Sequence, residues 1–443
     1  MSLSPATCRS SLVPRISTVS LEVAYNTTRL CLLDSLGCAI KALHFPQAVS
    51  VLGPVVPGIT VVIGTNHVLD PIRAAFNNGA LIRWLDFNDT WLAAELRHPS
   101  DNLGTIISVG DWLSRTAVAN GKKPLTVQDI LTAAIQAHET QGNLAIVKSF
   151  NRVGLNHVSL VKVASAAVVS KMIGNSRDQT VDVISQAVVD GQSLRTYRHA
   201  PNAFSCKSWA TGDACSRAVN LDLLVHKGQP GLPSVLIAKV WGFYDVLFKG
   251  KEFAFQRPYI SYVMENVLFK LVPTEFHAHT ACETAILAHA EMTKVGKTSD
   301  DIEKVKLLTQ EAAYMVAVSL MNGTLTPDMY NDDYAANPKI DELRAKMKVK
   351  EEGRYTKEYM EPENRSIGNS VEVVFKDGST IGRIMLDYVI CEAILLIAKK
   401  LRKYLEDHFD EARESKIMSL IIEDHKALAA MPVSELVDLW LKA

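Results

Sequence analysis

Residues 81–104, LIRWLDFNDTWLAAELRHPSDNLG, combine a histidine, a threonine and several acids with tryptophans and a proline. The ionisable side chains of this segment are Asp86, Asp89, Glu95, Arg97, His98 and Asp101. Burying such groups without partners costs on the order of several kcal/mol each, so we expect them either in water or in a working cleft. In a cleft, imidazole and carboxylate groups can move protons near neutral pH. The alternative is structural: an amphipathic helix over residues 75–85 that runs into a polar turn, with His98 capping a helix before Pro99.

Five further segments have distinctive sequences. They are residues 150–174, which begin FNRVGLNH, 194–202 (LRTYRHAPN), 207–217 (KSWATGDACSR), 241–250 (WGFYDVLFKG) and 255–270. With residues 86–104 they resemble the 2-methylcitrate dehydratase branch of the MmgE/PrpD family, from about residue 30 to residue 378 with gaps, and again near Met431. The related cis-aconitate decarboxylases share the aspartate, threonine, histidine and lysine positions but not LRTYRHAPN or FNRVGL. The dehydratase branch is therefore favoured.

The resemblance implies a hydro-lyase that converts 2-methylcitrate to 2-methyl-cis-aconitate in the methylcitrate cycle of propionate breakdown. It also implies a small tricarboxylate substrate, a homodimer and no cofactor. Dehydration requires proton abstraction beside a carboxylate, protonation of the leaving hydroxyl and cations for the acid groups. General acid or base help supplies about 10²- to 10⁴-fold of the rate. Two alternatives stay open: decarboxylation of cis-aconitate, and an inactive family member that acts as a binding partner.

The resemblance also implies which residues act on the substrate. The catalytic residues it indicates are Asp86, Thr90, His98, His157, Lys207 and His277. We expect His98 and His157 to transfer protons, without deciding which is acid and which is base. Without the resemblance, His157 would simply be the N-terminal residue of a helix. His279, two residues after His277, is expected to be a bystander.

Cationic side chains are expected to bind the carboxylates. Lys207 would hold one as a point charge, whereas Arg195 and Arg198 could do so in a bidentate manner, beside Tyr197. Structural alternatives are a solvated Lys207 and an interdomain polar patch formed by Tyr197 and Arg198. Gly191 and Gly212 form no phosphate-cradling pattern, which argues against a nucleotide cofactor.

Three departures from the family concern mainly the second half of the chain. Between Thr309 and Met315 the family carries an additional stretch with a GPL…ADRDHCIQY run, whereas this chain passes directly from TQEA to AYMVA. After Ile381 the family motif YPIGHxxRR is replaced by RIMLDYVICEAILLIAKK. Leu96 and Arg97 stand where Trp-Gly usually precedes His-Pro-Ser. A site that lacks one carboxylate clamp loses binding energy of about several kcal/mol, so these departures predict impaired activity.

Bulk properties narrow the class of partner. The 443 residues contain 47 Lys and Arg against 48 Asp and Glu, a balance that gives no support for a nucleic-acid or membrane partner. The seven cysteines form no CxxC pair, so neither a zinc site nor an iron–sulfur ligand run is visible. The most apolar stretch, residues 158–173, is shorter than the roughly 20 residues that span a bilayer. Residues 1–21 contain Arg9 and Arg15 but no acid, which favours the mitochondrial matrix, with the cytoplasm as the alternative.

Hydrophobic periodicity predicts a mostly α protein. Helical patterns cover residues 21–43, 70–84, 105–120, 126–141, 158–173 and 178–189. Residues 302–308 and 370–375 alternate as strands, and residues 376–378 form a hairpin turn, whereas residues 350–364 are expected to be a surface loop. A charged helical tail, residues 393–440, should return to the first domain. We therefore expect a large all-α helical domain, residues 1–268 with 400–443, and a smaller α+β lid domain, residues 269–399, shortened relative to the family.

Overall fold

The computed structural model describes residues 22–53, 56–96, 98–191, 193–255, 257–308, 313–361, 366–387 and 393–442. The chain divides into two compact units. Unit 1 takes in Met1–Val267 and Ala393–Ala443, and unit 2 takes in Leu268–Glu392.

The first part of unit 1 is helical, with one short hairpin among its described residues. Its helices are α1 (Glu22–Ala42), α2 (Pro46–Val49), α3 (Pro71–Trp84), α4 (Leu103–Ala119), α5 (Val127–Val147), α6 (Val158–Met172), α7 (Arg177–Val189), α8 (Cys206–His226), α9 (Phe243–Phe248) and α10 (Tyr262–Glu265). Strand β1 (Pro57–Val61) pairs antiparallel with β2 (Val68–Leu69). Local sequence sets the helix ends: the Asp70 carboxylate accepts from the first backbone N–H groups of α3, and Ser176 and Gln179 form a capping box on α7.

Three glycines allow helices of unit 1 to cross at close range. A Cβ at Gly104 of α4 would lie 2.5 Å from the Cα of Gly79 in α3, and one at Gly212 of α8 would lie 2.2 Å from the carbonyl oxygen of Phe76. Contacts this short are sterically forbidden in a packed interior, so these positions require glycine. The crossing brings together the end of α3, the start of α4 and the first turns of α8.

Unit 2 packs helices against a four-stranded sheet. Its described elements are α11 (His279–Lys294), β3 (Ile302–Leu308), α12 (Ala313–Asn322), α13 (Asp332–Ala335), α14 (Pro338–Ala345), β4 (Met347–Lys350), α15 (Gly353–Met360), β5 (Asn369–Phe375) and β6 (Thr380–Leu386). The strand order is β4-β3-β5-β6, with β4 parallel to β3 and the other pairs antiparallel. Val305, Leu307, Val371 and Val373 are fully buried in the core that the sheet shares with α11 and α12.

The chain returns to unit 1 through α16 (Ala393–Glu406), α17 (Glu411–Ile422), α18 (His425–Ala430) and α19 (Val433–Asp438). Helix α16 packs on α1, α18 on α5, and α19 on α4. The expected fold class is confirmed: a mostly α protein with a smaller α+β part, whose C-terminal helices return to the helical part.

One local expectation was wrong. Residues 350–364 are not simply a surface loop, because α15 occupies Gly353–Met360 and buries the ring of Tyr355. Residues 362–365 lie outside the described residues. Within the described part of the chain, no helix combines the length and apolar character needed to cross a bilayer.

Candidate active site

Asp86 lies at the centre of a charged cluster just beyond α3. Its Oδ1 is 2.6 Å from Nη1 of Arg83 and 3.5 Å from Nε2 of His98, and its Oδ2 is 3.0 Å from Nζ of Lys207. The backbone of Asp86 has φ +50°, a left-handed conformation that aspartate adopts more readily than most residues. Three of the expected catalytic residues are thus in direct contact, and Lys207, at 44% exposure, connects them to solvent.

His98 is held in one tautomer by the backbone. Its Nδ1 lies 2.6 Å from the carbonyl oxygen of Asp89 and 3.5 Å from Oγ1 of Thr90. A carbonyl oxygen only accepts, so Nδ1 must carry a hydrogen. His98 does precede a 3-10 turn at Pro99–Asn102, but its side chain makes no capping hydrogen bond there. The capping alternative therefore does not describe this side chain.

His157 pairs with a buried acid. Its Nε2 is 3.3 Å from Oδ2 of Asp101, and its ring centroid lies 5.9 Å from that of His98. Asp101 also accepts from Nδ2 of Asn88 at 3.0 Å and from the hydroxyl of Thr211 at 3.4 Å. His157 stands at the N-terminus of α6 without capping it. The two imidazoles are close enough to contact one small substrate.

Charge beneath the two histidines is balanced by Arg83, which is 1% exposed. Its Nε lies 3.8 Å from Oδ2 of Asp101. Burial raises the pKa of Asp101 to about 6, while Arg83 and the hydrogen bond from Asn88 hold it down. Burial alone would lower the pKa of Arg83, but the carboxylates of Asp86 and Asp101 outweigh burial and raise it. Asp101 can therefore exchange a proton near neutral pH, a property typical of functional sites.

The arginine turn, Arg195–Arg198, is tied to the segment that precedes His157. The backbone N–H of Asn156 donates to Ser193, and that of Arg195 donates to Gly154, both at 2.8 Å. Arg195 Nε and Arg198 Nε and Nη2 are buried without an acceptor among the described residues. Burial and the nearby Arg83 lower the pKa of Arg198. This turn therefore presents N–H groups suited to an incoming anion.

Tyr197 and Lys207 complete the set that was expected in this unit. Burial raises the pKa of Tyr197 to about 12, so the side chain is a neutral hydroxyl at physiological pH. Lys207 begins α8 beside Cys206 and is partly solvated, but it is also paired with Asp86. The alternative of a merely solvated lysine is therefore incomplete.

A second buried network lies behind His98. Cys31, Asp89 and His138 are fully buried, with donor atoms within 4.8 Å of one another, a grouping that could hold a metal ion. Hydrogen bonds already engage these atoms: His138 Nε2 is 3.1 Å and Cys31 Sγ 3.8 Å from Oδ2 of Asp89.

His277 belongs to unit 2. Its Nδ1 is 2.7 Å from Oε1 of Glu275, and its Nε2 is 2.8 Å from the hydroxyl of Tyr359. It lines a pocket in unit 2 with Tyr355, Tyr359 and Asn369. The neighbouring His279 is buried in unit 2, where its Nε2 accepts from the backbone N–H of Leu271.

Sequence reasoning overlooked four residues that organise this site. Arg83, Asn88 and Thr211 surround Asp86 and Asp101, and His138 reaches Asp89 from α5. Arg83 lies in the last turn of α3, and its sequence position resembles that of an ordinary surface charge. Only its burial distinguishes it. Asp101 was among the ionisable residues of the opening segment, but its partner His157 lies 56 positions away.

Comparison with known proteins supports one family. The MmgE/PrpD N-terminal domain matches residues 11–256, and the MmgE/PrpD C-terminal domain matches residues 312–424. The chain is 53% identical over 458 residues to "2-methylcitrate dehydratase, mitochondrial" of Yarrowia lipolytica, covering 96% of this chain and 88% of that protein. It is 49% identical over 456 residues to "2-methylcitrate dehydratase" of Salmonella typhimurium, covering 96% and 94%. For "Probable 2-methylcitrate dehydratase" of Saccharomyces cerevisiae the identity is 48% over 459 residues, covering 95% and 89%.

These alignments are longer than the chain itself, which has 443 residues. The relatives therefore carry internal residues that this chain lacks, as the departures in its second half predict. Residues 309–312 and 388–392, at or near the two expected junctions, and Arg97 lie outside the described residues. With both domains matched and about half of its residues identical to these relatives, the chain belongs to the MmgE/PrpD family.

Proposed function

We propose that this chain is a hydro-lyase that dehydrates 2-methylcitrate to 2-methyl-cis-aconitate without a cofactor. The observation that carries the proposal is the similarity, over 95–96% of the chain, to proteins named 2-methylcitrate dehydratase. The convergence of Asp86, His98, His157 and Lys207 supports it, because dehydration needs acid–base groups and cations but no electron transfer.

Arg195, Arg198 and Lys207 are proposed to bind the carboxylates of the tricarboxylate substrate. Arg198 offers buried N–H groups that lack an acceptor among the described residues, and burial lowers its pKa. An arriving carboxylate would therefore relieve an unfavourably placed charge and could bind in a bidentate manner. Lys207 supplies a mobile point charge near solvent, and the neutral hydroxyl of Tyr197 can donate a hydrogen bond.

His98 and His157 are proposed to move the two protons. His98 carries its hydrogen on Nδ1, so Nε2 can take the proton from the carbon beside a carboxylate. The electron pair of that C–H bond forms the double bond while the C–O bond breaks. The hydroxyl leaves as water with a proton from His157, which Asp101 supports from 3.3 Å away. Cations beside the carboxylate stabilise the enolate-like charge that develops.

Asp86 and Thr90 both lie against His98, the first of the two histidines. Asp86 holds Lys207 and faces Nε2 of His98, and Thr90 lies against Nδ1 of His98. In unit 2, Glu275 orients His277, which we retain as a proposed catalytic residue because the family resemblance assigns it.

The proposed cellular setting follows from a relative's name and from the first residues of the sequence. The name of the Yarrowia lipolytica relative includes "mitochondrial", and residues 1–21, outside the described residues, are basic. We propose the mitochondrial matrix, with the cytoplasm as the alternative, a homodimer, and a role in the methylcitrate cycle of propionate breakdown.

The test is a dehydration assay of the purified chain with 2-methylcitrate, which follows the absorbance of the alkene product. His98→Asn should remove the limb of the pH–rate profile that reports the general base, and His157→Asn should remove the limb that reports the general acid. Each should lower kcat by at least about hundredfold. His226→Asn is the matched control, because His226 lies on α8 with Lys207 but is exposed and bonds to Asn175. Its profile should match that of the unmodified chain.

Two results would overturn the proposal. Release of carbon dioxide in place of water would indicate a decarboxylase. A folded chain without turnover would indicate an inactive family member, for which the internal residues present only in the relatives would be the reason.

A further inference from the structure

The carboxylate of Asp89 is fixed by four donors. Its Oδ1 accepts from the backbone N–H of Ser100 at 3.1 Å and from the Ser100 hydroxyl at 2.5 Å. Its Oδ2 faces Nε2 of His138 at 3.1 Å and the thiol of Cys31 at 3.8 Å. Asp89, His138 and Cys31 are all fully buried. An ionised carboxylate only accepts hydrogen bonds, and this surrounding of donors suits that form.

His138 holds the Asp89 carboxyl from α5. Its Nδ1 lies 2.8 Å from the carbonyl oxygen of Ala134, one turn earlier in α5, and must therefore donate to it. A hydrogen is also needed between Nε2 and Asp89. His138 is thus hydrogen-bonded at both ring nitrogens, and the hydrogen between Nε2 and Oδ2 joins it to the buried Asp89 carboxyl. Removing either partner leaves the other buried without its hydrogen-bond partner, which is strongly destabilising.

The same residue, Asp89, controls His98 through its backbone. Its carbonyl oxygen is the atom 2.6 Å from Nδ1 of His98. If His98 carried its hydrogen on Nε2 instead, two lone pairs would face each other at this buried contact. The side chain of Asp89 thus anchors the peptide group that selects the tautomer.

We propose that Asp89 and His138 are positioning residues that keep the hydrogen of His98 on Nδ1 and leave Nε2 to exchange a proton on the side of Asp86 and Lys207. This inference rests on the proposed function only for its kinetic consequence. The tautomer of His98 is a property of the resting protein and can be measured without substrate.

The first experiment records nitrogen-15 NMR spectra of the histidine-labelled chain at neutral pH, with His98 assigned by comparison with His98→Asn. The expected result for the unmodified chain is a hydrogen-bearing Nδ1. The amide of Asp89→Asn places an N–H donor against the donors of Ser100 or His138 and so disturbs the anchor. In this variant the form of His98 with its hydrogen on Nε2 should become populated. His138→Gln removes the imidazole that holds Oδ2 of Asp89 and should shift the tautomer in the same direction, even if Asp89→Asn does not fold.

Two buried controls separate positioning from general destabilisation. Asp111→Asn removes a fully buried carboxylate whose hydrogen bonds, among the described residues, go to Val61 and Arg115. Cys31→Ala removes the longest of the four contacts to Asp89. Both should keep His98 in the Nδ1 form.

The second experiment compares kinetics. Partners that orient a functional histidine typically change activity by about 10- to 100-fold when removed. His138→Gln should lower kcat within this range, leave KM within about twofold and shift the base limb of the pH–rate profile. An Nε2-protonated His98 in the unmodified chain, or an unaltered tautomer in folded Asp89→Asn and His138→Gln, would overturn the inference. So would stoichiometric zinc in the purified chain that His138→Gln loses, because His138 would then hold a metal rather than a proton. An inactive chain with the expected tautomers would refute only the proposed function.

Discussion

Replacement of Arg83 by methionine tests how charge is balanced beneath the candidate site. Arg83 is 1% exposed and donates to Asp86 at 2.6 Å and to Asn88 at 3.3 Å, with Asp101 at 3.8 Å. Methionine keeps much of the apolar volume but removes the guanidinium. Asp86 retains Lys207 and partial contact with solvent, whereas Asp101, in a fully buried position, loses the guanidinium of Arg83.

The magnitude follows from the pKa of Asp101. Removing one partner of a buried ion pair costs about 3–5 kcal/mol when the remaining charge cannot escape. Asp101 can escape by taking up a proton. With a pKa of about 6, its ionised form is favoured at pH 7 by only about 1.4 kcal/mol, which caps this part of the loss. Lost hydrogen bonds to Asp86 and Asn88 add about 1 kcal/mol, so we expect a total loss of about 2–3 kcal/mol at pH 7.

The sign of the pH dependence is specific. The folded pKa of Asp101, about 6, lies above its ordinary value of 3.8, so the folded protein binds this proton more tightly than the unfolded chain. Stability from this group is therefore highest below about pH 4 and falls as the pH rises to about 6. Without Arg83 the folded pKa rises further. The decline then continues above pH 6, and the gap between Arg83→Met and the unmodified chain should widen towards pH 8.

The assay is urea unfolding at pH 5.5, 7 and 8, followed by tryptophan fluorescence. All six tryptophans, Trp84, Trp91, Trp112, Trp209, Trp241 and Trp440, fall within unit 1, so the signal reports the unit that contains Arg83. Arg83→Lys keeps the charge and serves as the control, with a gap that should not change with pH. A gap for Arg83→Met that is equal at all three pH values would refute the reasoning.

Three further predictions use the same protein. Lys207→Met should lower kcat/KM by at least about hundredfold, mainly through KM. The melting temperature should change little, because a half-exposed ion pair contributes about 0–1 kcal/mol to stability. A large drop in melting temperature would contradict this prediction. Gly212→Ala should destabilise unit 1 by about 1–3 kcal/mol in urea unfolding, because its Cβ would meet the carbonyl oxygen of Phe76, whereas Gly353→Ala, with nothing within 4 Å, should be neutral. Burial raises the pKa of Asp222 well above 3.8, so its folded form binds the proton more tightly and stability falls as pH rises. Asp222→Asn should show a shallower fall between pH 5 and pH 8, and equal slopes would count against the argument.

Much of the architecture follows from hydrophobic periodicity. Helices α1, α3, α4, α5, α6 and α7 and strands β3 and β5 lie close to their predicted positions, because apolar residues recur along each of them at helical or strand spacing. Helices α1 and α6 are buried on all sides over most of their length. The prediction missed α8, where apolar and charged residues follow no clear stripe. Its position is set instead by Gly212, which permits close contact with α3. Tertiary packing, rather than local preference, decides such a helix.

The sequence allowed the residue types of the candidate site to be predicted, but not the hydrogen-bond and ion-pair partners of those residues. Residues 86–104 contain acids and a histidine that a core would not choose, and the structure brings Asp86, His98 and Lys207 into contact. Their partners come from distant elements: His138 from α5, His157 from the start of α6, and Thr211 from α8. Such pairings depend on helix crossings that a single sequence does not reveal.

Any shortening of the second half of the chain would affect substrate binding and proton transfer differently. The contacts described for Asp86, Asp89 and Asp101 come from α1, α3, the 3-10 turn at Pro99–Asn102, α5, α6 and α8, all within unit 1. The contacts of the two histidines with Asp86 and Asp101 therefore lie within unit 1. The resemblance implies that the Gly-His-Arg-Arg motif missing after Ile381 would supply additional recognition of carboxylates. Loss of such a motif should weaken substrate binding, whereas a deficit in the unit 1 network should slow the proton transfers themselves.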